Sequence, residues 1–258
     1  MDVKYYLADT GENNYMYLII DKATKGYNPE SSDKPMLENL LKQTFDDTEL
    51  VAKLAEYFIK IPDCSIVVKQ EFQEDTASNN SAANETENPE CSEELGDIIF
   101  AWNSFVDLSA TNAKDNVGVN LLRNYIKKFV TSCPNHDAFE KALYETPGNM
   151  FFYFLHERLT GIPVILNTNA ISTLIAEIND STKKPTHLLT FAYRHKKDDK
   201  ITYSYPEIEV IVKQSIHLIE KEMEKEVEEG EDVDDLGVPY LLLLIVPFSK
   251  LSDIISTF

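Results

Sequence analysis

The chain has 258 residues, 43% of them apolar, and a formal charge of −20 from 44 acidic and 24 basic residues. That length and apolar share suit a folded body with a sizeable core. The charge excludes a nucleic-acid binder, because phosphate would be repelled, and no apolar run approaches the roughly 20 residues of a membrane helix.

In chain order, residues 4–8 and 15–20 read as short strands of a hairpin across Gly11. Residues 24–34 read as a loop rich in Gly, Pro and Ser. Asp33 then stands at the N-cap of a helix with Pro35 in its first turn. Met36, Leu37, Leu40, Leu41 and Phe45 fall on one face of that helix. Leu50, Val51, Leu54, Ala55 and Phe58 repeat the spacing in a second helix, which ends before Pro62. CSIVVKQ (64–70) and IIFAWNSFVDL (98–108) read as strands, the latter bent at Asn103, pairing antiparallel around the segment 71–96. Helices are expected over 119–130 and 136–145.

The last third alternates continuous apolar runs with helical patterns. MFFYFL (150–155), LLTFAY (188–193) and LLLLIV (241–246) suit strands covered on both faces. Between them, Ile165, Ile171, Leu174, Ile175 and Ile178 mark one helix. Ile208, Val212, Ile216, Ile219, Met223 and Val227 mark another, with ITYSY (201–205) as an extra strand before it. The alternation predicts an α/β layer.

Charge is unevenly placed. Residues 70–97 hold nine acids and no base, and residues 220–235 are net −8, so the rest of the chain is close to neutral. The second helix should give way to an acidic loop by Gly230, since acids crowd at the negative end of its dipole. Flexible acidic insertions are thus expected at about 71–96 and 228–237. Such segments attract basic partners, chiefly by raising the association rate and selecting among them. Glu226, Glu228, Glu229, Glu231, Asp232, Asp234 and Asp235 are the candidate partner-binding residues.

Catalytic signals are thin. The cysteines Cys64, Cys91 and Cys133 form no CxxC, the five histidines show no HxH or HExxH spacing, and no serine carries a nucleophile-elbow glycine. No metal site, disulfide framework or catalytic residue is assigned. The opening MDVKYYLADTGENN lacks the apolar stretch of a secretory leader. Adjacent Glu157 and Arg158 read as a structural ion pair. Trp102 and the tyrosines read as core.

One stretch, LHERLTGIP (155–163), is close to a cofactor cradle. It follows a strand and opens a helix, where unpaired N–H groups can hold a phosphate. Arg158 and Gly161 match the first two anchors of the Arg-x-x-Gly-x-Gly/Ala loop of GNAT-type acetyltransferases. The third anchor is Pro163, which has no N–H and whose ring fills cofactor space. Arg158, Gly161 and Pro163 therefore form a degenerate cradle, and no cofactor is expected.

The same region carries a wider likeness. FYFLHERLTGIP (152–163) and the Lys184-Pro185 step, with NSFVDL (103–108), PMLENLLKQTF (35–45) and YSYPEIEVIVKQSIHLIE (203–220), resemble the BCCIP family. His156 and Val164 depart from the family's serine and second proline. The resemblance implies a GNAT-like domain spanning 1–258, a central mixed sheet flanked by helices on both faces, in α/β (α+β) style, that has dispensed with acetyl transfer. It implies a nuclear and cytoplasmic chaperone, in ribosome biogenesis, of a basic large-subunit ribosomal protein of the universal L14 class. Nuclear-transport, cell-cycle or repair proteins are the further partners it implies, with no membrane and no direct nucleic acid. The alternatives are an active acetyltransferase using acetyl-CoA, or an adaptor for cell-cycle or DNA-repair proteins.

Overall fold

The apolar runs become neighbours in one sheet. The computed structural model describes residues 4–9, 15–20, 25–60, 65–70, 98–109, 116–159, 164–223 and 237–257. The hairpin predicted at the start is present as strands β1 (Lys4–Asp9) and β2 (Tyr15–Ile20). They pair antiparallel from Lys4↔Ile20 to Asp9↔Tyr15 as a separate two-stranded sheet.

The stretch expected as loop over 24–34 instead supplies β3 (Lys25–Tyr27) and a 3-10 turn, Ser31–Asp33. β3 forms because Lys25–Tyr27 can lay its backbone along β4 (Ser65–Gln70). Asp33 does occupy the N-cap of helix α1 (Lys34–Leu41), but its carboxylate does not cap that helix. It accepts from the Glu30 N–H at 2.8 Å and meets the buried Lys69 ammonium at 3.4 Å. Helix α2 (Thr48–Lys60) buries all five residues assigned to its apolar face.

β5 (Ile98–Asp107) pairs antiparallel with β4. Its register slips opposite Val68/Lys69, where Val68 faces Ala101 and Lys69 faces Ile99. An extra residue in one strand of a pair shifts the ladder in this way. Helix α3 (Val117–Ser132) starts against α2, and a Cβ at Gly118 would lie 2.6 Å from the Lys53 carbonyl oxygen. Only a glycine permits that approach. Helix α4 (Asp137–Tyr144) follows.

β6 (Phe151–Arg158), helix α5 (Val164–Asp180) and β7 (His187–Lys197) form a β–α–β unit. β8 (Lys200–Tyr203) folds back on β7. The remaining elements are helix α6 (Pro206–Gln214), β9 (His217–Glu222), β10 (Val238–Pro247) and helix α7 (Leu251–Ile255). The strand order is β3-β4-β5-β6-β7-β10-β9, with β8 beside β7. β6 and β7 are parallel and the other pairings antiparallel, so the sheet is mixed.

The single helix expected from Ile208 to Val227 is corrected. It stops at Gln214, and His217–Glu222 is strand. The reason is β10, whose Leu241–Val246 run is buried throughout. Each fully buried leucine there is worth about 2 kcal/mol, but only if the flanking backbone is paired. β9 supplies that pairing from Glu222↔Tyr240 to His217↔Ile245. Beyond it, 224–236, including the expected acidic loop, lies outside the described residues. At Gly237 φ is +87° and a Cβ would meet the Lys196 carbonyl oxygen at 2.5 Å, so the chain re-enters β10 through a glycine turn.

Alternation along the strands separates two buried faces. Trp102 of β5, Tyr153 of β6 and Phe191 of β7 point towards α1–α3: Trp102 meets Phe58, and Phe191 meets Tyr125 and Phe129 edge-on. Phe105 and Phe154 stack at 5.0 Å on the opposite face, which α5, α6 and α7 cover. The expected mixed sheet with helices on both faces is present.

Candidate functional site

The end of β6 carries three buried ionisable residues in a row, His156, Glu157 and Arg158. Alternation separates them. His156 and Arg158 point to the α5–α6 face, and Glu157 points to the α1–α3 face. The ion pair read from the adjacency of Glu157 and Arg158 is therefore absent.

Arg158 instead meets Glu207, in the first turn of α6. Its Nη2 donates to Oε2 at 3.1 Å, and its Nε lies 2.8 Å from Oε1. The Glu207 carboxylate also accepts from His156 Nε2 at 3.2 Å. The other ring nitrogen of His156 lies 2.9 Å from Asn103 Oδ1 and 3.1 Å from Asn167 Nδ2. Asn103 Nδ2 in turn donates to Asn167 Oδ1 at 2.5 Å. Burial pushes the Glu207 carboxyl up, but the His156 hydrogen bond and the His156 and Arg158 charges outweigh it and hold it down at about 2. The cluster thus ties β5, β6, α5 and α6 together through polar groups that satisfy one another.

Glu157 has the opposite environment. Its Oε1 accepts from the Thr44 hydroxyl at 2.5 Å, just beyond α1. Burial pushes its carboxyl up to about 8, with the Thr44 hydrogen bond opposing, so it is a neutral acid at pH 7. Burial raises the phenols of Tyr153, Tyr193 and Tyr205, and Glu157, ionised at the alkaline pH where phenols titrate, raises them further.

The chain itself bridges the diverging ends of β6 and β7, beside Arg158. β6 and β7 pair only over Phe151↔His187, Phe152↔Leu188 and Tyr153↔Leu189; beyond that no pairing joins the two strands. Ser204 and Tyr205 span this wedge. The Ser204 N–H donates to the Tyr193 carbonyl of β7 at 3.3 Å, and the Tyr205 hydroxyl donates to the Arg158 carbonyl of β6 at 2.6 Å. The Tyr205 ring also lies under the Arg158 guanidinium, 4.4 Å from centroid to Cζ. Arg158 is 3% exposed and committed to Glu207 and Tyr205, so it does not face an open phosphate site. Gly161 and Pro163 lie outside the described residues. The cavity lined by Phe154, His156, Asn167 and Glu207 has about 10 Å³, room for no more than one water.

The seven candidate partner-binding acids, Glu226 to Asp235, all lie outside the described residues, as does the segment 71–97. Among the described residues no group of three His, Cys, Asp or Glu could hold a metal ion, and no helix is long and apolar enough to cross a membrane. Sequence reasoning missed Thr44, Asn103, Asn167 and Glu207. Asn103 left one signal, a lone amide inside the apolar run IIFAWNSFV. Glu207 read as an ordinary first-turn acid behind Pro206, and Thr44 left no signal.

The profile of the family described as BCCIP matches residues 24–234. The fold is similar to a crystal structure of BCP1 from Saccharomyces cerevisiae, with a TM-score of 0.61 and 16% identity. The alignment covers 93% of this chain and 88% of that one. No curated protein matches the chain.

Proposed function

Because the chain belongs to the BCCIP family, we propose that it is a non-catalytic binding protein, a chaperone in ribosome biogenesis. Its client is a basic large-subunit ribosomal protein of the universal L14 class, which it escorts between cytoplasm and nucleus. The observation that carries the non-catalytic reading is the filled wedge. The Ser204 backbone N–H and the Tyr205 hydroxyl take up backbone carbonyls of β7 and β6, and Glu207 neutralises the arginine of the cradle motif. A cofactor would have to displace a buried ion pair, whose disruption costs about 3–5 kcal/mol.

Charge supports the rest of the reading. Free ribosomal proteins carry lysine and arginine that bind RNA indiscriminately. A chain of net −20, with its acids gathered in two stretches, competes for that surface until RNA displaces it. At physiological salt the screening length is about 8 Å, so acids act mainly where the client touches them. The client is expected to stay soluble when co-expressed with this chain and to precipitate without it. Equal solubility in both cases defeats the proposal.

A further inference from the structure

The chain is acidic overall, yet one groove on it is basic. It lies where β5 ends and β6 and β7 begin, beneath α3 and α4, and has a volume of about 300 Å³. That is the lower end of the range for pockets that enclose a ligand. Ile126, Leu143, Phe151 and Leu189 form an apolar floor. Tyr144 stands at the rim and is 54% exposed. Among the described residues, the lining contains two cations, Arg123 and Lys127, and no carboxylate.

The two cations differ. Arg123 is held in place, donating to the Leu108 carbonyl and to Asn120 Oδ1. Lys127 is exposed on α3, and among the described residues no carboxylate lies within ion-pair distance of its ammonium. Among the described residues, this ammonium thus stands beside an apolar floor and an exposed phenol ring.

We infer that this groove binds an acidic peptide segment of a partner protein, one that carries an aromatic or aliphatic anchor. The anchor enters between Leu143, Phe151 and Leu189, and flanking carboxylates meet Lys127 and Arg123. Tyr144 covers the anchor from the rim, as exposed aromatic side chains do at contact centres. Charge selects the occupant: a basic segment would be repelled here, although the chain as a whole attracts one. None of the residues that line the groove belongs to the acidic stretches 70–97 and 220–235.

The test uses the full chain and a fluorescein-labelled hexapeptide with four acidic residues around a central phenylalanine. Fluorescence anisotropy should show saturable binding that weakens with salt. An analogue with glycine for phenylalanine, or with amides for the acids, should bind at least about tenfold more weakly. Lys127→Glu, an exposed change, should weaken the acidic peptide about tenfold, and Tyr144→Ser should weaken both it and the amide analogue. Unchanged circular dichroism and melting would show that both variants fold. Absence of binding at millimolar protein, or binding indifferent to both substitutions, overturns the inference. So does concentration-dependent dimerisation abolished by Lys127→Glu, which would assign the groove to a second copy. None of these outcomes bears on client solubility, so the escort reading stands or falls separately.

Discussion

Glu157→Gln should make the protein more stable, and only above about pH 5. The folded chain holds the Glu157 proton up to about pH 8, against an ordinary value of 4.5. Between those values the unfolded chain has released the proton and the folded chain has not. A carboxyl raised in this way gives its full stability below 4.5 and loses it as pH climbs towards 8. Each pH unit costs about 1.4 kcal/mol, so by pH 7 the folded state is weakened by about 3 kcal/mol relative to pH 4.5. Glutamine has nothing to ionise and its carbonyl can still accept from Thr44. Its amide hydrogens are less well placed, which costs about 1 kcal/mol. The net gain is about 2 kcal/mol at pH 7 and about 3 kcal/mol at pH 8, turning into no gain or a small loss near pH 5. Urea denaturation of both proteins at pH 5.5, 7 and 8 reads this out as diverging midpoints at constant slope. Parallel pH dependence of the two proteins, or a less stable variant at pH 8, would refute the assignment of Glu157 as a buried neutral acid.

The other predictions concern the opposite face, the helix contact and the wedge. Glu207, held at about 2, gives stability that is complete above 4.5 and is lost as pH falls towards 2, about 3 kcal/mol in all. Glu207→Gln should flatten that acid limb in pH-dependent unfolding, and at pH 7 it should cost about 3–5 kcal/mol by stranding the buried Arg158. Gly118→Ala places a Cβ 2.6 Å from the Lys53 carbonyl oxygen and should lower the melting temperature. The loss is about 1–3 kcal/mol, as for other overpacked contacts, and an unchanged melt would show that α2 and α3 are further apart. Acetyl-CoA at millimolar concentration should leave the melting temperature unchanged. A rise, together with acetyl transfer, would favour the acetyltransferase alternative.

Long periodic stretches were legible because local pattern and final environment agree. The apolar faces of α1 and α2, the apolar residues of α5 from Ile171 to Ile178 and the strands β6, β7 and β10 follow from spacing alone. A continuous apolar run has no other way to be covered on both faces. The sequence also determined how charge is distributed and that the third anchor of the cradle is Pro163. Tertiary structure decided the rest. Residues 215–223 kept helical spacing, with Ile216, Ile219 and Met223, but the unpaired edge of β10 drew 217–222 into a strand. Backbone groups left unpaired on so buried a strand cost more than a helical turn returns. Glu157 and Arg158 are neighbours in the chain and face opposite sides of the sheet. Arg158 found its carboxylate 49 residues on, and Glu157 found its hydroxyl 113 residues back. Which ions meet is a property of the pleat and of the helices laid over it, and no spacing in the chain records it.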